Sequence, residues 1–423
     1  MALASLPSVG LPAAAQAKWG RPFQFAPPAA LDVLAPQLAF SPSGASAAGF
    51  GLQDVDTPGS SVGYLTTRSP GGAVGRPQAI PSARQILALA YDRGSLELLT
   101  GAGSADQTCC SSAQAIPIGA GGRPGRARTL VGGLAGAAQG QLLTLGDGQM
   151  LAAVATARGV WVVQAARGNR FGGQHLLTRA GELPQSLAAT ALSGSHSIVA
   201  WTAASGTAGA TDPRAISIAA GSRSAAPGHP RTVVTVPAGH RVDELAVAPG
   251  AGGATLAWIE SWYDGRGGYH SQVMATDVGA GAAIRTLSPG NRQAAGLQFA
   301  GDAGGDQALA WESCTTQPAC ATVVATRRAG GRFGAPSTLG AIDPSQAPAV
   351  SVGPQGQVVV GWVRGGRPMA ALQAGPGRGF SSPVPLSSTT YAADITVAAG
   401  PRGRTLAAWS QGTLNASVVG AAG

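Results

Sequence analysis

Aromatic and charged side chains collect in one stretch of the chain, residues 260–270, which reads ESWYDGRGGYH. Four rings there surround a carboxylate and a guanidinium: Trp262, Tyr263, Tyr269 and His270 around Asp264 and Arg266. Exposed rings beside polar groups suit sugar rings or peptide side chains, so the stretch is a candidate ligand-binding site. The competing interpretation is a local cap, in which the rings pack over the edge of a sheet.

Two carboxylates are candidates for acid–base chemistry. Glu260 and Glu312 each follow a Trp-containing apolar run, in adjacent repeats. Most glycosidases place two carboxylates on either side of the bond that they cleave. A glycan-active hydrolase or lyase is therefore one hypothesis. The alternative is two solvated or arginine-paired loop carboxylates, since a site needs geometry as well as residue types.

The sequence carries no metal or cofactor motif. Asp54 and Asp56 lack the glycine and the distal glutamate of a calcium loop. The five histidines lie in different repeats at unequal positions. Neither a G-x-S-x-G elbow nor a P-loop ending in Gly-Lys occurs. We therefore expect no cofactor and no bound metal.

The four cysteines favour an oxidising compartment, because their number is even. Cys314 and Cys320 lie between two strand-like runs, in ESCTTQPAC, which predicts a disulfide that staples a hairpin. Zinc is the rival interpretation, but C-C and C-x5-C differ from the usual C-x2-C pairs. The pairing of the adjacent Cys109 and Cys110 stays open.

These residues lie on a unit that recurs along nearly the whole chain. Its clearest copy, residues 345–388, has four short apolar runs separated by turns, which predicts a four-stranded antiparallel sheet. The second run often contains Trp and recurs at roughly 50-residue intervals, which is in the range of propeller blades. Its copies are residues 46–51, 95–100, 149–156, 197–202, 254–260, 307–312, 357–363 and 404–409.

One such sheet cannot bury two apolar faces alone, whereas radial packing in a β-propeller buries both. We predict an all-β propeller of four-stranded antiparallel blades. Eight blades are favoured; seven is the alternative if residues 83–183 contribute one fewer. The last repeat offers three strands, while residues 19–26 form an orphan run of the fourth type. We predict that this N-terminal strand closes the ring.

Two segments of the repeat resemble secreted bacterial β-propeller repeat proteins: AVSVGPQGQVVVGW (349–362) and ATRRAGGRFGAPSTL (325–339). That group is distantly similar to sialidase-like and kelch-like propellers and has no assigned function. The resemblance implies fold far more than function. The sialidase Asp-box and the WD40 signatures are not matched.

Charge and hydropathy limit the partners. The net charge is +9, but the arginines occur singly or in pairs at turns, without interleaved aromatic residues. That distribution is typical of a mildly basic surface, so we expect no nucleic-acid partner. No uninterrupted apolar run reaches about 18 residues, so we expect no membrane span.

Residues 1–17 end in Ala-Gln-Ala, a cleavage-site pattern, but lack a positive n-region. We interpret them as a partial signal peptide, with a disordered tail as the alternative. Residues 18–423 are expected to form one propeller domain, monomeric and secreted or otherwise extracytoplasmic.

The loops between second and third strands differ in every repeat, whereas the turns between first and second strands are short and uniform. Variable loops on a uniform scaffold are where binding sites usually lie. We therefore expect a non-enzymatic binding scaffold for a protein or glycan ligand. The alternatives are the glycan-active enzyme and a structural protein of the cell envelope.

Overall fold

The structure is a computed structural model. It describes residues 19–25, 32–53, 61–103, 110–134, 139–166, 170–179, 181–205, 213–279, 282–316, 319–375, 377–412 and 417–422. The predicted signal peptide, Asp54, Asp56 and Cys109 lie outside these residues. Secondary structure in the described ranges is almost entirely β-strand. Three short 3-10 turns interrupt it, at Ala120–Gly122, Ser193–Ser195 and Pro401–Gly403.

The first strand in the chain is β1 (Phe23–Gln24). Blade 1 follows with β2 (Asp32–Val33), β3 (Gln37–Phe40), β4 (Ser46–Gln53), β5 (Val62–Arg68) and β6 (Gln78–Ile80). Blade 2 contains β7 (Gln85–Asp92), β8 (Ser95–Ala102), β9 (Ser112–Ile118) and β10 (Arg128–Gly132). Blade 3 contains β11 (Gln139–Thr144), β12 (Met150–Thr156), β13 (Gly159–Ala166) and β14 (Arg170–Leu176). Blade 4 contains β15 (Glu182–Ala191), β16 (Ser197–Ser205), β17 (Ala215–Ser222) and β18 (Ala225–Thr235).

Blade 5 contains β19 (His240–Gly250), β20 (Gly253–Tyr263), β21 (Tyr269–Asp277) and β22 (Arg285–Thr286). Blade 6 contains β23 (Gln293–Gly301), β24 (Gln307–Thr316), β25 (Ala319–Arg327) and β26 (Ser337–Ala341). Blade 7 contains β27 (Ala349–Val352), β28 (Val358–Arg364), β29 (Arg367–Gln373) and β30 (Val384–Pro385). Blade 8 contains β31 (Ala392–Ala399), β32 (Thr405–Gln411) and β33 (Ser417–Ala422), completed by β1.

Within the described residues, the strands form eight antiparallel sheets, seven of four strands and one of five. In the five-stranded sheet, β2 and β3 pair with successive parts of β4, so they are two segments of one strand position. First strands of consecutive blades contact one another around the ring, and β31 contacts β3. The predicted propeller of four-stranded antiparallel blades is therefore confirmed. Residues 83–183 contain two complete sheets, blades 2 and 3.

The N-terminal strand closes the ring, as predicted. Phe23 pairs with Gly420 and Gln24 with Val419, so β1 is the outer strand of blade 8. Phe25 is 1% exposed in the apolar cluster between blades 8 and 1. The hydroxyl of Thr66 in blade 1 donates a hydrogen bond of 2.9 Å to the carbonyl of Phe25.

The hydrophobic core lies between blades. The second strand of each blade is buried on both faces, which explains its nearly continuous apolar sequence. Its repeated tryptophans are all fully buried, at Trp201, Trp258, Trp311, Trp362 and Trp409. Phe50 and Leu99 lie buried on the second strands of blades 1 and 2, which lack the tryptophan.

The disulfide between Cys314 and Cys320 is confirmed. The two residues are directly opposite each other on β24 and β25, with Cα atoms 4.1 Å apart. Cys110 is disulfide-bonded as well. Among the described residues, no helix has the length and apolarity that crossing a lipid bilayer requires.

The antiparallel order gives the ring two different faces. One face carries the loops from second to third strands and the connections between blades; we call it the variable-loop face. The other carries the turns from first to second strands and the connections from third to fourth strands; we call it the turn face. Contacts between neighbouring turns, such as the Arg404 guanidinium bonded to the Gly44 carbonyl, place these turns together on one side.

Candidate functional site

The stretch 260–270 forms the longest described hairpin on the variable-loop face, at the end of β20 and β21. Asp264 organises its tip. One carboxylate oxygen accepts hydrogen bonds of 2.8 Å from the backbone N–H groups of both Arg266 and Gly268. The other lies 3.0 Å from Nε2 of His270. The His270 contact, followed by these backbone donors, lowers the pKa of Asp264 to about 2, so the carboxylate is ionised at neutral pH.

Trp262 is sandwiched between two imidazoles. The cross-strand register places His240, Trp262 and His270 side by side on three neighbouring strands. The indole stacks on His240 at a centroid distance of 4.7 Å and on His270 at 5.3 Å. Nδ1 of His240 lies 2.6 Å from the Glu260 carboxylate. Both ring faces of Trp262 are thus covered, and its part in the site is to hold the hairpin rigid.

The opposite face of the hairpin carries the accessible aromatic surface. Tyr263 is 65% exposed, and its ring lies 5.5 Å from that of Tyr269. The Tyr269 hydroxyl donates to the Asp243 carboxylate at 3.2 Å. Burial and the charge of Asp243 raise the pKa of Tyr269, so its phenol stays protonated. Arg241 pairs with Asp243 at 2.7 Å and so completes a polar rim beside the two rings.

The six predicted ligand-binding residues therefore lie together in one hairpin, in unequal settings. Tyr263, Asp264 and Arg266 are exposed, whereas Trp262, Tyr269 and His270 are half-buried. Sequence reasoning missed the partners on β19: His240, Arg241 and Asp243. The run HRVDE (240–244) could have indicated these residues, because polar side chains are unusual at the start of an inner strand.

The two predicted catalytic carboxylates point in opposite directions. Glu260 lies on the same side of β20 as Trp258, which packs against blade 4. Glu312 lies on the same side of β24 as Ala310 and Cys314, which pack against blade 7. Alternate residues of a strand share a face, so blades 5 and 6 separate the two side chains. Their arrangement offers no shared cleft for an acid and a base.

Glu312 and Glu244 connect neighbouring blades. Both Glu244 oxygens accept backbone N–H groups from blade 6, from Gly296 at 2.9 Å and from Leu297 at 2.5 Å. These donors lie in an irregular part of β23, where Gly296 has a positive φ of 63°. Glu312 is buried and accepts a backbone hydrogen bond from Ser345, at the start of blade 7.

Uncharged side chains make the same connection elsewhere in the ring. The Gln139 amide oxygen in blade 3 accepts the Leu187 N–H of blade 4 at 2.9 Å. The Gln346 amide oxygen in blade 7 accepts the Asp394 N–H of blade 8 at 3.3 Å. Such bonds satisfy backbone donors that irregular strand ends leave unpaired. Glu244 and Glu312 are therefore explained as contacts that fix the angle between blades.

Replacement of Glu312 by Gln should remove part of the pH dependence of stability. Burial raises the pKa of Glu312 and the charge of Glu244 adds to the rise, while the Ser345 N–H opposes it. A carboxyl with a raised folded-state pKa gives its full stabilisation below its unfolded value, here 4.5, and loses it as the pH rises through the folded value. Wild type should therefore lose stability relative to Glu312→Gln as the pH rises above 4.5. Urea unfolding of both proteins at a series of pH values above 4.5 tests this prediction. It is contradicted if the stability of wild type, measured relative to that of the variant, stays constant or rises with pH.

Glu312 also lies next to the disulfide. Its carboxylate is 3.2 Å from Sγ of Cys314, and the donor atoms of Glu312, Cys314 and Cys320 lie within 4.8 Å of one another. Zinc binds cysteine as the thiolate. Because both sulfurs are joined in a disulfide, they do not supply that ligand.

The sequence matches no protein-family model and no curated protein. Solved structures share its fold. A PL25 ulvan lyase bound to -[GlcA(1-4)Rha3S]- is similar at a TM-score of 0.50 and 10% identity, covering 95% of both chains. A protein of unknown function from Dyadobacter fermentans DSM 18053 is similar at a TM-score of 0.46 and 9% identity, covering 96% of this chain and 98% of that one.

A prolyl endopeptidase is similar at a TM-score of 0.48 and 14% identity over 81% of this chain. The match covers 47% of the peptidase, so this chain spans about half of its length. At 10% identity, the likeness to the ulvan lyase is one of fold alone.

Proposed function

We propose that the protein is an extracytoplasmic, non-enzymatic binding scaffold, whose ligand contacts the blade 5 hairpin on the variable-loop face. The observation that carries this proposal is the surface formed by Tyr263 and Tyr269 beside Arg241 and Asp243. The disulfide between Cys314 and Cys320 supports the location, because such bonds persist in oxidising compartments.

The hairpin is organised before any ligand arrives. The stacked Trp262 and the capped Asp264 hold the strand ends in register on both sides of Tyr263. Side chains that are already fixed lose little conformational entropy on binding, so more of the contact energy remains as affinity. Tyrosine is enriched at binding interfaces, because its ring offers an apolar face and its hydroxyl a polar group.

The proposed ligand class is a glycan. A sugar ring presents C–H groups to an aromatic face, while its hydroxyls can bond to Asp243 and to the guanidinium groups of Arg241 and Arg266. The similarly folded ulvan lyase binds a sugar chain, which supports a glycan over a peptide. We propose binding without cleavage, because Glu260 and Glu312 face different blades.

A glycan array compares wild type with Tyr263→Ala and Trp262→Ala. We expect Tyr263→Ala to lose its stacking surface and at least about tenfold in affinity, a loss of about 1.4 kcal/mol. Trp262→Ala should weaken binding through a disordered hairpin. The matched control is Tyr391→Ala, because Tyr391 is also 65% exposed and precedes the inner strand of blade 8 on the same face. A wild-type protein that binds no glycan counts against the proposal and favours a structural envelope role.

A further inference from the structure

The fold gathers arginines that are scattered along the sequence. Every blade except blade 5 presents at least one exposed arginine on the turn face; examples are Arg76, Arg123, Arg170, Arg223, Arg332, Arg378 and Arg402. They occur one or two at a time because each lies in a different turn. Radial packing of the blades then brings these turns to one side of the molecule, where the charges add.

Three of the acids described on the turn face are held by other groups. Asp147 accepts the Gln149 N–H and pairs with Arg223 at 3.1 Å. Asp306 accepts the Ala329 N–H at 2.8 Å, and Asp277 pairs with Arg327 at 2.8 Å. Most of the remaining arginines on this face are exposed, so the face is strongly positive. The variable-loop face instead mixes its arginines with carboxylates such as Asp243, Asp264 and Asp343.

Grooves between blades open on the positive face, and each contains an arginine. The groove between blades 1 and 2 encloses about 440 Å³ and is lined by Arg68. The groove between blades 6 and 7 encloses about 520 Å³ and is lined by Arg378 with Phe380. A smaller cavity of about 230 Å³ between blades 5 and 6 is lined by Arg327. The two larger volumes are in the range of small-ligand sites.

The groove between blades 1 and 2 has the chemistry of an anion site. Its lining includes Arg68, Thr67 and Tyr91, together with the glycines at residues 119, 121 and 122. Burial raises the pKa of Tyr91 to about 12, so its phenol remains a hydrogen-bond donor at neutral pH. Arginine is well suited to carboxylate and sulfate, because its planar fork donates two parallel hydrogen bonds.

We propose that the turn face binds an acidic polysaccharide, whose carboxylate or sulfate groups contact arginines of neighbouring blades while its sugar rings enter the inter-blade grooves. Single-stranded nucleic acid fits less well, because base stacking needs exposed aromatic rings. The exposed aromatic residues among the described part of the chain, Tyr263 and Tyr391, lie on the other face. An anionic membrane fits less well too, since surface insertion uses a broad apolar face, and Val74 and Ile284 are the large exposed apolar residues here.

The test compares two triple variants of equal charge. Arg76→Gln, Arg123→Gln and Arg126→Gln neutralise exposed arginines in the third-to-fourth-strand connections of blades 1 and 2, next to the groove residues Gly75 and Gly122. Arg158→Gln, Arg179→Gln and Arg364→Gln neutralise exposed arginines on the variable-loop face. Each protein is titrated with polygalacturonate, dextran sulfate and neutral dextran, at low and high salt. A 30-base-pair DNA duplex and phosphatidylglycerol vesicles serve as competing partner classes.

We expect wild type to bind polygalacturonate or dextran sulfate, but not neutral dextran. The affinity for the acidic polymer should fall as the salt concentration increases. The turn-face triple variant should lose about tenfold or more in affinity, while the variable-loop triple variant stays within about twofold of wild type. The proposal is overturned if neither acidic polymer binds, if both triple variants weaken equally, or if DNA or vesicles bind more tightly than both polymers. Tyr263→Ala should leave this binding unchanged, which separates it from the function proposed for the hairpin.

Discussion

Deletion of residues 18–27 is expected to lower the melting temperature strongly and to broaden the unfolding transition. The deletion removes β1, the outer strand of blade 8, and leaves β33 as an unpaired edge. It also removes Phe25, which fills the cluster between blades 8 and 1. Without that contact the ring is open at one interface, and unfolding can begin there.

Phe25→Ala isolates the packing part of this effect. Truncation of a buried phenylalanine costs about 3–5 kcal/mol, and Phe25 is 1% exposed. The control is Gln24→Ala in the same strand. Because the Gln24 side chain is exposed, we expect the free energy of unfolding to change by no more than about 0.5 kcal/mol. Calorimetry and urea unfolding measure both. If the deletion leaves the melting temperature unchanged, β1 does not close the ring.

Trp362→Ala is expected to lower the free energy of unfolding by about 3–5 kcal/mol, because the indole is buried between blades 6 and 7 and is 1% exposed. Its indole N–H has no hydrogen-bond partner in the structure, so its contribution is packing alone. Trp362→Phe should therefore be milder, since it keeps an aromatic ring and removes the unpaired donor.

Urea unfolding again provides the measurement, with Tyr263→Ala as the control for removal of an exposed ring. We expect that control to stay within about 0.5 kcal/mol of wild type. A loss below about 1 kcal/mol in the free energy of unfolding for Trp362→Ala would contradict the assignment of Trp362 as a stabilising core residue.

The architecture could be predicted because its signals are local and repeated. Each second strand is a short apolar run between turns, from 46–51 in blade 1 to 404–409 in blade 8. The missing fourth strand of the last repeat and the orphan run at 19–26 are visible by counting alone. Cys314 and Cys320 were predictable because they flank one hairpin loop, so the turn itself brings them together.

The site could be predicted only in part, because its contacts cross strands and blades. Trp262 and Tyr263 are conspicuous within 260–270, but the stack on His240 depends on the register between β19 and β20. Glu312 was a plausible catalytic group until the direction of its side chain was known. The turn-face arginines belong to separate repeats, and only the ring places them together.

Titration calorimetry of the strongest array glycan against wild type and Tyr263→Ala tests the proposed function most directly. A folded Tyr263→Ala protein with affinity reduced at least about tenfold is the result that we predict. Equal affinities, with Tyr391→Ala as the matched reference, would contradict the assignment of the blade 5 hairpin as the ligand site.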